Sequence, residues 1–197
     1  MIITLRVFSL LLITLFISFS INAQDSEVTY PPEFSDEFPL YSKALGDFDR
    51  SISSENEMAQ AYFNQGFQMM YAFTKEDGAR SFREAWKNDP NCAICYWGEA
   101  WSWGSYLNGR MSAIEAPRAY KAIQKAMELA ENGFANEKEK DFIEAMSVRY
   151  AENYESETQT RRDTAYAMAM KEVYDTYPND LDAGTFYGEA LFLLEPR

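Results

Sequence analysis

The chain has 197 residues, with 31 acidic side chains against 18 basic ones, a net charge of −13 and no histidine. Acidity of this degree argues against nucleic acid and anionic membrane surfaces as partners, since both are held by Lys and Arg neutralising phosphates. The missing imidazole removes the commonest general base, the commonest metal ligand and every Ser–His or Cys–His nucleophile pair, while carboxylate and thiol chemistry stay open.

Residues 1–23 read as a secretory signal peptide. Arg6 precedes an apolar run from Val7 to Ile21, and Asn22-Ala23-Gln24 places a small residue at the cut, so cleavage is expected after Ala23. The run falls short of the roughly 20 residues of a membrane span. No cysteine follows it to carry a lipid. A secreted or periplasmic protein is expected, with no stable membrane insertion after cleavage. Residues 24–53 form an arm rich in proline and acid (Pro31, Pro32, Pro39). Its aromatics Tyr30, Phe34, Phe38 and Tyr41 predict that part of it packs on the domain, because free tails are poor in such residues.

From Ser54 onward the apolar period is helical, and helices are predicted over about 55–73, 76–88, 90–104, 113–131, 136–154, 158–177 and 180–194. Ser54 with Glu57, Thr74 with Asp77, Ser112 with Glu115 and Asn136 with Glu139 fit the capping-box pattern at helix starts. Pro117 suits a first turn, and Gly133 suits the left-handed position after the fourth helix. No segment alternates with the two-residue period of a strand. The expectation is an all-α chain of about seven helices.

Within Ala59–Pro90, residues Tyr62, Gly66, Gly78, Phe82, Ala85 and Pro90 have the spacing of one tetratricopeptide (TPR) helix–turn–helix repeat. The glycines let two antiparallel helices approach closely, Phe82 and Ala85 pair large with small, and Pro90 stops the second helix. A second unit carries Tyr96, Ala100 and Trp103, then Ala119, Ile123 and Ala126. A third keeps Met170, Val173 and Pro178. Phe186-Tyr-Gly-Glu-Ala190 echoes Tyr96-Trp-Gly-Glu-Ala100, which supports internal duplication. The repeat domain, residues 54–197, ends after a first helix bearing Phe186, Tyr187, Leu191, Phe192, Leu193 and Leu194. Solenoids finish on a polar cap, so this reads as a truncated array or as an end that docks or self-associates.

The segment from Leu45 to about Asn108 resembles a family of secreted bacterial TPR proteins. The shared motif is carried here by Ala59-Gln60, Phe63, Gln65-Gly66, Ser81-Phe82, Ala85, Asp89-Pro90, Cys92-Ala93, Cys95 and Trp97-Gly98. The resemblance implies a right-handed superhelix of antiparallel helix pairs (an α-solenoid) and a partner-binding role, and it brings no substrate. The family often has an Asn-His-Asp/Glu-Glu-Ala segment where this chain has Thr74–Ala79, so any ligand role of that histidine is missing here.

Two constellations are candidates for function. Cys92 and Cys95 stand near a helix start, with Asp89 as expected N-cap and Pro90 as the first helical residue, where the helix dipole favours a thiolate. A structural disulfide, two small core residues and a redox or soft-metal site all fit the pair. Tyr96 stands where haem attachment needs histidine. The second constellation is the face that TPR first helices turn to their groove: Gln60, Phe63, Phe67, Met70 and Tyr71, then Ile94, Trp97, Trp101, Gly104 and Ser105. It is aromatic where carboxylate clamps carry Lys and Asn. It fits a groove for an apolar or aromatic-rich protein segment, with Phe63, Phe67, Met70, Tyr71, Trp97 and Trp101 in contact, or a core strip covered by the arm or by later repeats. Met69, Met70, Met168 and Met170 read as core rather than a copper site, and Glu99 and Glu189 recur because the repeat recurs. The expectation is an extracytoplasmic scaffold, not an enzyme, without metal or cofactor. The alternative is a thiol-redox or metal-handling accessory protein centred on Cys92 and Cys95.

Overall fold

A computed structural model describes residues 28–41 and 43–195. The predicted signal peptide lies outside them. Seven α-helices follow a short 3-10 turn at Pro32–Ser35: α1 (Glu57–Tyr71), α2 (Lys75–Asn88), α3 (Ala93–Trp103), α4 (Ala116–Glu131), α5 (Glu137–Ser147), α6 (Ser156–Thr176) and α7 (Leu181–Phe192). Among the described residues the only β-type pairing is an isolated bridge between Tyr106 and Gly109, and no helix is long and apolar enough to cross a membrane.

Local chemistry accounts for most of the ends. Asn136 and Glu139 form the predicted capping box at α5, Pro117 sits in the first turn of α4, and Gly133 takes φ 88° after α4. Other starts differ from the sequence pattern. Asn56, not Ser54, caps α1, its Oδ1 accepting from the amides of Met58 and Ala59, while Ser54 donates to Asp89 instead. Thr74 turns its hydroxyl back to the Met69 carbonyl and caps nothing by its side chain. Asp89 accepts from the amide of Asn91 through its carboxylate and from that of Cys92 through its carbonyl, closing a turn ahead of α3. The helix therefore opens at Ala93 with Cys92 as N-cap, three residues later than Pro90 suggested.

Consecutive helices pack side by side along the whole chain, and α3 also touches both α1 and α5. Helix α7 reaches these three through Phe186, whose ring meets Phe67 of α1, Trp97 and Trp101 of α3 and Phe142 of α5. Phe82 of α2 explains the glycine spacing: a Cβ on Gly66 would lie 2.8 Å from its ring, and one on Gly98 2.4 Å. Neither helix can approach this ring with a side chain at those positions, so Gly66 and Gly98 form the notch that Phe82 fills. Phe63, Phe67, Phe82, Trp97, Phe142 and Phe186 are all fully buried around it.

The arm lies against α1, and its backbone is held there by amide side chains. Gln65 accepts from the Tyr41 amide (2.7 Å) and donates to the Pro39 carbonyl (3.0 Å), and Gln60 brackets Arg50 and Ile52 the same way (2.9 and 3.0 Å). These side chains supply the hydrogen bonds that a segment outside helix and sheet lacks. Arg50 then reaches the carboxylates of Asp180 and Asp182 at the start of α7, tying the arm to the last helix.

Candidate binding site

The aromatic stripe divides into a sealed part and an open part. Phe63, Phe67 and Trp97 are fully buried. Phe48 of the arm stacks on Phe67 at 5.2 Å, and Phe186 of α7 stands 5.1 Å from Trp97, 4.7 Å from Trp101 and 6.0 Å from Phe142. Arm and last helix together close this half. At the other end Met70, Tyr71 and Trp101 line a cavity of about 290 Å³, shared with Phe73, Tyr106, Leu107 and the α7 residues Thr185, Phe186, Gly188 and Phe192. Its walls are predominantly apolar and aromatic, as ligand pockets are. The charge-bearing side chains Lys75 and Glu189 complete the lining.

Each wall has an identifiable support. Tyr71 donates its hydroxyl to Asp182 at 2.7 Å, and burial, with that carboxylate beside it, pushes the phenol pKa up, so it remains a donor. Lys75 gives its ammonium to the Gly104 carbonyl (2.9 Å) and to Glu115 (3.1 Å), and lies 4.6 Å from the centre of the Tyr106 ring. Burial lowers its pKa against the pull of Glu115. Gly188 faces open space, with nothing within 4 Å of where a Cβ would stand.

Phe73 is held at a conformational cost. It has φ 64°, the left-handed region that disfavours every side chain with a Cβ, and it remains 53% exposed. Its amide bonds to the Met70 carbonyl and that of Thr74 to the Met69 carbonyl, the same closure that Gly133 and Phe134 make on Ala130 and Leu129. One helix end uses glycine for this turn, and the other uses a phenylalanine at the mouth of the cavity.

Glu189 lies at the polar edge of the lining. Its Oε1 is buried without a hydrogen-bond partner among the described residues, and the nearest cation, Arg149 Nη1, is 3.9 Å away. Burial raises its pKa, opposed by Arg149, by the Trp101 indole N–H and by Lys75. Arg149 is itself fully buried, donates to the Ser105 carbonyl and stands 3.9 Å from Asp163.

Cys92 and Cys95 are joined as a disulfide across the start of α3, both buried. A thiolate can exchange with a disulfide only by reaching a sulfur, which this burial restricts. Among the described residues no group of three or more His, Cys, Asp or Glu stands so as to hold a metal. Met69, Met70 and Met170 are buried, while Met168 is exposed.

Phe73, Phe186, Gly188 and Glu189 were not singled out from the sequence as site residues. For α7 a signal existed in the Phe186–Ala190 echo. For Phe73 none did, since a left-handed position is legible only when glycine or asparagine occupies it. Compared with known proteins, the chain matches no protein-family model, no curated protein and no solved structure.

Proposed function

We propose that this protein is a TPR-like right-handed superhelix, exported by its leader, that binds a protein or peptide partner through the face shared by α1, α3 and α7. A side chain of the partner enters the cavity between Tyr71, Trp101 and Phe186. The observation that carries this reading is Phe73. A strained, half-exposed aromatic at a cavity mouth contributes little to the core, and such strain persists where it serves a site. The Pro-rich arm already lies on α1 held through its backbone, which is how such a face would take a partner chain as well.

The experiment is a selection of displayed random peptides on the wild-type protein, repeated on Gly188→Leu. Its Cβ starts in open space, and the longer side chain is expected to occupy the cavity that Gly188 lines. Peptides that bind the wild type and lose the variant are expected, with thermal stability of the variant unchanged or higher. Peptides that bind both proteins equally would sink the reading. Phe73→Gly should raise stability by about 1 kcal/mol through relief of the left-handed strain while weakening the same peptides. The thiol-redox alternative is disfavoured by the burial of both sulfurs.

A further inference from the structure

Resting on the cavity as the binding site, the charges around it point further, to the chemistry of the group it takes. Among the described residues, the lining groups Lys75 and Glu189 pair with Glu115 and Arg149 behind the cavity, and Arg149 also faces Asp163, so two cations stand against three carboxylates. The shortfall falls on Glu189. Lys75 is committed at 2.9 and 3.1 Å to the Gly104 carbonyl and Glu115. Arg149 stands 3.9 Å from both of its carboxylates, beyond hydrogen-bond length. A carboxylate at the edge of an aromatic cavity, with the Trp101 indole beside it but with Oε1 lacking a hydrogen bond and no cation within hydrogen-bond length among the described residues, is matched by a ligand that brings a charged donor.

The aromatic walls favour the same ligand, because ring faces attract cations. The cavity already shows this arrangement once, in the Lys75 ammonium 4.6 Å from the centre of the Tyr106 ring. A volume of about 290 Å³ accommodates an unbranched alkyl chain with a charged end. The net charge of −13 favours encounter with a basic partner over an acidic one.

We infer that the partner anchors in this cavity with a lysine side chain, its methylenes against Trp101 and Phe186 and its ammonium at the Glu189 carboxylate. Leucine or phenylalanine at the anchor would leave that carboxylate with Arg149, 3.9 Å away, as its nearest cation and would fit less well, although the walls are apolar.

Two probes of nearly equal shape separate charge from hydrophobic filling: n-hexylammonium and 1-hexanol, titrated by NMR and by tryptophan fluorescence. The ammonium is expected to bind the wild type more tightly than the alcohol. Glu189→Gln, which keeps the shape and removes the charge, should weaken the ammonium by about tenfold and leave the alcohol within about twofold. Glu189→Asp should restore most of the ammonium binding. Gly188→Leu should abolish both. A wild-type preference for hexanol overturns the inference, and so does an equal loss of both probes in Glu189→Gln. If that variant does not fold, the wild-type comparison alone decides. Failure of both probes to bind at all would instead count against the cavity as a site. In the peptide selection, the anchor position should enrich lysine, and norleucine in its place should lose binding. Enrichment of leucine or phenylalanine there overturns the inference while leaving the binding site standing.

Discussion

The segments Tyr96–Ala100 and Phe186–Ala190 carry nearly the same residues on α3 and α7 and put them to opposite use. In the first, Gly98 is a notch filled by Phe82, and Glu99 accepts hydrogen bonds from Arg83 (2.7 Å), Trp86 (2.8 Å) and Trp103 (3.3 Å). In the second, Gly188 faces open space, and Glu189 Oε1 has no hydrogen bond among the described residues. A buried carboxylate with three donors is a structural tie; the same carboxylate without them beside a cavity is available to a ligand. The comparison teaches that a repeated motif reproduces geometry, while neighbours decide whether its polar group is spent on the fold.

The sharpest way to break the comparison is to remove each carboxylate. Glu99→Ala leaves Arg83 and two indole N–H groups without their acceptor, and breaking a buried, hydrogen-bonded charge in this way costs about 3–5 kcal/mol. Thermal or urea unfolding should register that loss. Glu189→Gln removes no short hydrogen bond to Oε1 and should leave stability unchanged or raise it. Equal losses at the two positions would mean that both carboxylates are structural ties, and the distinction would fail.

The glycines give the next largest contrast. Alanine at 98 drives its methyl into the Phe82 ring, and overpacking a filled core costs about 1–3 kcal/mol. Alanine at 188 meets nothing and replaces a helical glycine, which should stabilise by about 0.5–1 kcal/mol. The two substitutions, identical on paper, are therefore expected to move the unfolding midpoint in opposite directions.

How much of this was legible in the sequence follows from how local each cause is. The all-α class and the seven helices were readable because apolar period and caps act within a few residues, as the Asn136–Glu139 box does. The start of α3 was misplaced because Asp89 spends its carbonyl and carboxylate on a turn, which the bare Asp-Pro pattern does not reveal. The stripe Phe63, Phe67, Met70, Tyr71, Trp97 and Trp101 could be written down as a face. Its division into sealed and open parts could not, since that depends on Phe48 and Phe186 arriving from remote segments. Phe73 was invisible for a different reason: its φ is imposed by the closure of the α1 terminus, against the preference of its own side chain.

The finest contrast is in pH. Burial raises the pKa of Glu189 in the folded protein, so its ionisation opposes folding. Its favourable contribution is complete below the unfolded carboxylate range near pH 4 and is lost as pH rises through the raised folded value. Asp180 behaves oppositely. Lys138, Arg50 and the Ala183 amide lower its pKa against its burial, so its contribution is present above that range and is lost as pH falls through the lowered value. Melting curves should therefore show Glu189→Gln gaining on the wild type as pH is raised from about 4 towards 7, while Asp180→Asn falls behind the wild type as pH is raised towards about 4 and keeps a constant deficit above it. A flat difference for Glu189→Gln would mean that ionised Glu189 is already fully compensated by Arg149 and Trp101. In that case the second echo would be as satisfied as the first, and a cationic ligand would find no unmet charge to answer.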